Sequence, residues 1–350
     1  MIKNIVLDFG KVLLEYDFKT TMGSLLKGLE DVEEFGELVT SPAFLDICDR
    51  EAIPWNERMA EMKQKYPAWV KHWEIFDQNY TTIVRSEVPG MKELMHQLKA
   101  EGYKLYGLSN WCSRVHEVIA KYPQMFEPLD GYLVSSEVHL IKPEKAIYDK
   151  LCERYGLKAE ECLFVDDKQP NVNGAIAAGM EAVLFTTSYE LEKEIRVREA
   201  RDMFLQGYNC AQAVACALSH GYTSKDEALR MAGGFGGGIG RMRLTCGAAS
   251  GMFMMAGYER GQVKPNDNAQ KMECYKLVQA LAADFKEQQG SMTCAELLAA
   301  RAGGTLPPDK YAPKPDERTA AYYQERPCLR MITSAVRIYM DRIHREKCGC

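Results

Sequence analysis

Five short apolar runs recur along the first half of the chain, with helical periodicity between them. They are "IVLDF", "KLYGLSN", "GYLVSS", "CLFVDD" and "AVLF". Helical patterns such as "GMKELMHQLKAEGY" and "EKAIYDKLCERYGL" separate them. This alternation predicts an α/β fold, a parallel sheet with helices on both faces. The nearly continuous apolar character of the runs suits strands buried on both sides. In such sheets ligands bind outside the carboxyl ends of the strands. The first run, in "MIKNIVLDFGKVLLEYD", ends in Asp8. Alone, Asp8 reads equally as an acid opening a surface turn or as a functional carboxylate.

The texture of the chain changes near residue 190, within the charged helical stretch "SYELEKEIRVREARDMFLQGYN". A length of 350 residues suggests about two domains, and we expect them at 1–190 and 197–350. Between the first two strand-like runs lies a long insertion, about 15–88, with helical periodicity. It carries Trp55, Trp69 and Trp73 and reads as a helical cap. Beyond the boundary the strand-like runs end, so the second domain is expected to be all-α. It holds eight of the twelve cysteines.

Bulk composition narrows the partners. A net charge of −5 argues against nucleic acid or an anionic membrane as the main partner. No apolar run approaches the roughly 18 residues of a membrane span. No basic, then apolar, secretory leader opens the sequence. The expected location is cytoplasmic, where many cysteines read as thiols, redox groups or metal ligands rather than a disulfide framework.

Four stretches follow strand-like runs and would converge at one sheet edge: Asp8 in "VLDFGKVL", Ser109 and Asn110 in "YGLSNW", Lys142 in "HLIKPEKAIY", and Asp166 and Asp167 in "LFVDDKQPNVNGAIAAGM". Taken singly, Lys142 is a solvated lysine and Ser109 a turn residue. Together with the acids they form a set suited to phosphoryl transfer. A carboxylate such as Asp8 can act as a nucleophile. The three acids make a hard oxygen site for Mg²⁺. Ser109 can hydrogen-bond the transferring oxygens, and Lys142 can neutralise charge.

In order and type these motifs resemble the haloacid dehalogenase (HAD) superfamily, over essentially all of residues 1–188. The resemblance implies a Rossmann-like domain with a helical cap. It implies Asp8 as nucleophile, Ser109 and Lys142 as catalytic and substrate-binding groups, and Mg²⁺ on Asp8, Gly10, Asp166 and Asp167. Asn110 and Asn171, otherwise loop-capping residues, become candidates for substrate and metal-water contacts. Trp55 and Trp111 are expected to pack. One position departs: most phosphatases of the superfamily carry a second aspartate, a general acid and base, where this chain has Gly10. The backbone carbonyl that the family uses for the metal survives there, while help worth roughly 10²–10⁴-fold in proton transfer does not. The motifs look most like a bacterial subgroup with this glycine that acts on sugar phosphates. A dehalogenase would need no Mg²⁺, and the Asp166/Asp167 pair argues against it.

In the second domain, "AGGFGGGIGRMRLTCGAASG" contains neither a G-x-G-x-x-G nor a P-loop pattern. Its glycines are expected to let backbone pass close to another element or a bound group. Cys210, Cys246, Cys294 and Cys328 each stand at an apparent helix start, where the helix dipole favours a reactive thiolate. They could form a disulfide relay or bind a metal or iron–sulfur cluster, although no C-x-x-C pair occurs. Gly247 and Gly251 would admit a neighbouring helix. Cys216 and Cys274 read as core residues, and Cys348 and Cys350 as an oxidation-prone tail. Residues 197–340 resemble a bacterial family of proposed redox-active proteins, recognised by a Cys, a Cys-Gly-Ala-x-x-Gly and two further Cys. That resemblance implies redox or metal association, with a redox partner, and no defined reaction.

The expectation is therefore a cytoplasmic Mg²⁺-dependent phosphatase of a small phosphorylated metabolite, a sugar phosphate or nucleotide, fused to a cysteine redox or metal-binding domain. The alternative is a redox or metal-binding protein whose first domain binds ligand without turnover.

Overall fold

The computed structural model describes residues 1–301 and 311–348, with the side chain of Cys348 outside that description, as is Cys350. The chain divides into two compact units, Met1–Leu191 and Glu192–Cys350.

The first unit holds seven strands: β1 (Asn4–Leu7), β2 (Leu14–Tyr16), β3 (Val84–Glu87), β4 (Lys104–Ser109), β5 (Gly131–Val134), β6 (Cys162–Asp166) and β7 (Glu181–Leu184). Five form a parallel sheet in the order β5-β4-β1-β6-β7. These are the five apolar runs of the sequence. All four residues of β1 and all five of β6 are buried, as a strand between two helical layers requires. Register sets the functional edge: Leu7 lies opposite Gly107 and Val165. The next residues along these three strands, Asp8, Leu108 and Asp166, are therefore level, and Ser109 stands one step further.

No sequence pattern marks β2 and β3, which pair antiparallel from Leu14↔Glu87 to Tyr16↔Val84. They are short and mostly half-buried or exposed, so no apolar run marks them. Helices Phe18–Leu25, Val32–Thr40, Pro42–Arg50, Trp55–Lys65 and Val70–Gln78 lie between the two strands in sequence. Their shared core is aromatic: Phe35 meets Trp73 edge-on at 4.7 Å between ring centroids. Trp55 and Trp111 pack as expected, and their indole N–H groups donate to Asp77 and the Tyr80 hydroxyl, each at 2.7 Å.

The described part of the second unit is helical, chiefly Cys210–Leu218, Lys225–Ala232, Gly247–Arg260, Asn268–Gln289, Cys294–Arg301 and Cys328–Cys348. Its core is built from small residues, with Ala211, Ala213, Ala215, Ala248 and Ala249 buried. Small side chains let the helices Cys210–Leu218 and Gly247–Arg260 approach closely. A Cβ on Gly251 would lie 2.7 Å from the Ala211 carbonyl oxygen and 3.0 Å from the Val214 Cβ.

Replacing an interior helical glycine by alanine ordinarily gains up to about 1 kcal/mol. In the same helix, Gly257 has open space where a Cβ would stand. Gly257→Ala is expected to raise the unfolding midpoint of the full chain. Gly251→Ala is expected to lower it, by the equivalent of about 1–3 kcal/mol of overpacking. Denaturant titration of both variants checks this, and equal effects would contradict the close packing.

Candidate functional site

Lys142 is the centre of the site in the first unit. The residue is 3% exposed, and its ammonium makes three contacts: Asp166 Oδ2 at 2.6 Å, Asp8 Oδ1 at 2.8 Å and the Leu108 carbonyl at 2.9 Å. An ammonium has three donors, so all are used. Burial works against its charge, but Asp8 and Asp166 outweigh burial and hold the lysine protonated above its ordinary range.

The backbone of Lys142 is clamped as well. Asn110 Oδ1 accepts from the Lys142 N–H at 2.8 Å, and Asn110 Nδ2 donates to the Lys142 carbonyl at 3.0 Å. The amide that the sequence offered to substrate is thus committed to holding the lysine. Asn171 is similar: its Nδ2 donates to both oxygens of Asp166, at 3.0 and 3.1 Å. The Lys168 N–H adds a bond to Asp166 Oδ1 at 2.9 Å. Fully buried Asp166 is therefore engaged at both oxygens.

Asp8 continues the ladder of β1, its N–H donating to the Val165 carbonyl at 3.0 Å. Its own Oδ1 accepts from the Phe9 N–H at 2.7 Å and faces Lys142. Among the described residues, these contacts leave Oδ2 without a partner. Burial, then Asp166 and Asp167, pushes Asp8 up to about 6 against the pull of Lys142. Asp167 is half-buried and likewise raised, by burial and then Asp166. Carboxylate oxygens of Asp8, Asp166 and Asp167 lie within 4.8 Å of one another. Among the described residues this is the only trio of acidic, histidine or cysteine ligands close enough to share a cation. Hard oxygen donors whose charged forms disfavour one another fit Mg²⁺. The Ser109 hydroxyl, at the buried end of β4, takes no hydrogen bond among the described residues.

Gly10 has a steric setting that the sequence did not reveal. A Cβ there would lie 2.7 Å from Cε1 of Tyr16, the last residue of β2. The tyrosine ring occupies the space a side chain at position 10 would need. The helical insertion also reaches this edge. The Asp49 carbonyl accepts from Ser135 Oγ at 2.6 Å, and Ser135 Oγ accepts from the Trp111 N–H at 2.9 Å. Arg50 pairs with Glu144, and Glu51 accepts from Ser113 Oγ at 2.6 Å.

In the second unit Cys210, Cys294 and Cys328 are the first residues of their helices, and Cys246 immediately precedes one. All four line one cavity of about 60 Å³ that opens to solvent. The glycine loop presses on it: a Cβ on Gly238 would lie 2.7 Å from the Cys294 Cβ. Helix starts do not make these thiols uniformly reactive. Burial pushes Cys246 up to about 12 despite the N–H groups of Ala248 and Ala249, and Cys294 also rises. The Cys210 thiol donates a hydrogen bond to Cys328, which raises Cys210 and lowers Cys328. Arg326, Arg318 and Arg243 add to the lowering of Cys328. These arginines line the cavity; Arg326 stands two residues before Cys328 and Arg243 three before Cys246, while Arg318 stood near no motif in sequence. Cys216 is buried as expected, and Cys274 is half-buried.

Comparison with known proteins gives each unit a family. Residues 2–179 match the haloacid dehalogenase-like hydrolase family. Residues 208–342 match the family described as "Putative redox-active protein (C_GCAxxG_C_C)". A haloacid dehalogenase-like hydrolase domain-containing protein of Arabidopsis thaliana is 31% identical over 120 residues, 32% of this chain and 37% of the relative. A phosphoglycolate phosphatase of Mannheimia succiniciproducens is 26% identical over 160 residues, 43% of this chain and 68% of the relative. A solved HAD family enzyme from Bacteroides thetaiotaomicron, in complex with magnesium and inorganic phosphate, is 20% identical. That match covers 53% of this chain and 96% of the enzyme, with a TM-score of 0.45. Among the described residues no helix is long and apolar enough to cross a membrane.

Two outcomes test these geometries. Mg²⁺ is expected to raise the thermal midpoint, by the equivalent of about 2.7 kcal/mol at a hundred times its Kd, and Asp167→Asn to abolish the rise. An unshifted wild-type midpoint would contradict a cation site. Under reducing conditions iodoacetamide is expected to alkylate Cys328 before Cys210 and Cys246, read by peptide mass spectrometry; the reverse order would contradict the arginine-stabilised thiolate.

Proposed function

We propose that this chain, which belongs to the haloacid dehalogenase-like hydrolases, is a Mg²⁺-dependent phosphatase of a small phosphorylated metabolite, joined to a cysteine-based redox or metal-binding unit. The observation that carries the reading is the buried Lys142 between Asp8 and Asp166, with Asp167 beside them. Asp8 Oδ2 attacks phosphorus and forms an aspartyl-phosphate. Lys142 holds Asp8 Oδ1 and, with the Ser109 hydroxyl, offers positive charge and a donor to the transferring oxygens. Asp8, Asp167 and the Gly10 carbonyl would hold Mg²⁺, with Asp166 alongside. When bound, the ion supplies Lewis-acid stabilisation of charge on the phosphoryl group. Water then releases phosphate and regenerates Asp8.

A phosphoglycolate phosphatase among the relatives supports a small phosphorylated substrate. The chain spans about a third of the length of the first curated relative it matches, so substrate and whole-protein activity are this proposal's own. In the second unit, the four thiols at one cavity, with Cys210 hydrogen-bonded to Cys328, support dithiol redox chemistry; metal binding there rests on the family resemblance, since among the described residues no three thiols lie close enough to share a cation. The ten described unpaired cysteines fit the reducing cytoplasm.

Purified protein with Mg²⁺ is expected to release phosphate from at least one member of a panel of sugar phosphates, nucleotides and short phosphorylated acids. Asp8→Asn is expected to lower the rate about a thousandfold or more, since the covalent route is lost. No release across the panel would favour the reading of the first unit as a ligand-binding module.

A further inference from the structure

We propose that Asp49, carried by the helical insertion, is the proton donor that Gly10 leaves missing. It protonates the leaving-group oxygen as Asp8 takes the phosphoryl group, and it later accepts a proton from the attacking water. The inference rests on the phosphatase reading above.

The bonds balance. The Asp8 oxygen–phosphorus bond forms as the ester P–O bond breaks, its electron pair going to the leaving oxygen, which takes the Asp49 proton. In the second half a water oxygen bonds to phosphorus and the Asp8 oxygen–phosphorus bond breaks. The water proton returns to Asp49, so ester and water become alcohol and phosphate with no other reactant.

Position comes first. Asp49 stands in the last turn of the helix Pro42–Arg50, and the segment is held at the sheet edge by three neighbours. Ser135 Oγ donates to the Asp49 main-chain carbonyl at 2.6 Å, Arg50 pairs with Glu144, and Ser113 bonds Glu51. Ser135 is tied in turn to Trp111, two residues past Ser109. The clasp therefore uses the backbone of Asp49 and leaves its carboxyl unspent: among the described residues it takes no hydrogen bond or ion pair. The residue is half-buried.

The charges around it are those of the site. Lys168 and Lys142 attract the carboxylate, Asp8 and neighbouring Asp46 repel it, and burial dominates, pushing Asp49 up to about 7. Asp49 in turn acts on Tyr16 and Tyr80, from the strand and the turn that bound the insertion. The carbonyl end of a helix also disfavours a carboxylate. A group poised near the working pH is what proton transfer in both directions needs. Tyr16 is the other candidate, because its ring fills the space beside Gly10. Burial and Asp8 push its hydroxyl well above its ordinary range, which makes it the poorer donor.

The test compares leaving groups. 4-Nitrophenyl phosphate departs as a stable phenolate and needs no acid, whereas alkyl phosphates such as phosphoglycolate and glycerol 3-phosphate need one. Wild type, Asp49→Asn and Asp8→Asn are assayed with Mg²⁺ on both classes, following kcat/KM because it reports the phosphoryl-transfer step. Asp49→Asn is expected to lose about 10²–10⁴-fold on the alkyl phosphate and less than about tenfold on the aryl one. Wild-type activity on the alkyl phosphate should fall as pH rises through about 7, where Asp49 loses its proton, and that limb should vanish in Asp49→Asn. Retention of aryl activity by Asp49→Asn shows that the variant folds.

Equal loss on both classes, or no loss on either, overturns the role of Asp49 and leaves the phosphatase reading standing. A wild type that hydrolyses only the aryl ester also overturns it, since no acid is then at work. A wild type inert toward both classes overturns the phosphatase reading and this inference with it.

Discussion

A single ammonium organises the first unit. Lys142 meets a carboxylate at the end of β1, another at the end of β6 and a main-chain carbonyl near the end of β4. Three adjacent strands are thereby tied at the edge where their chemistry lies. Each partner is itself fixed, Asp166 by Asn171 and the Lys168 N–H, and the lysine backbone by Asn110. Removing one partner from a buried ionic group typically costs about 3–5 kcal/mol, because the remaining charge is left uncompensated. The arrangement is thus fully engaged on the side of Asp166, while Asp8 Oδ2 and the half-buried Asp167 are left for the proposed substrate and cation.

The second unit solves a different problem with small residues. Alanine and glycine let two helices come close enough for Cys210 and Cys246 to line one cavity. The thiols then compete with their own burial. Helix N-termini stabilise an anion by about 0.3–1 kcal/mol at exposed sites, too little to offset the desolvation of Cys246. What distinguishes Cys328 is a neighbouring thiol donor and three nearby guanidinium groups, and of these Cys210 and Arg243 lie far from it in sequence.

The parts legible in the sequence share a physical cause. Strands buried on both faces must be apolar throughout, so all five strands of the sheet stood out as runs, and each acid at a strand end broke a run visibly. Cysteines at helix starts were legible for the same reason, since a helical pattern begins where they stand. What was hidden depends on through-space partners. The β2–β3 pair is too short and too exposed to leave a pattern. Asn110 looks like a substrate contact until its amide is found on the Lys142 backbone. Asp49 lies in "LDICDREA", an ordinary helix end among charges, and only its neighbours at the sheet edge set it apart.

The tyrosine ring beside Gly10 carries a consequence for how such a site can change by mutation. An aspartate at position 10 would bring its Cβ within 2.7 Å of Tyr16, so one codon change would add a carboxylate only by displacing a ring beside the candidate site. The glycine and the tyrosine are therefore an epistatic pair: each fixes what the other can become. Reaching the two-aspartate arrangement would therefore require the Tyr16 ring to move or be replaced along with the glycine.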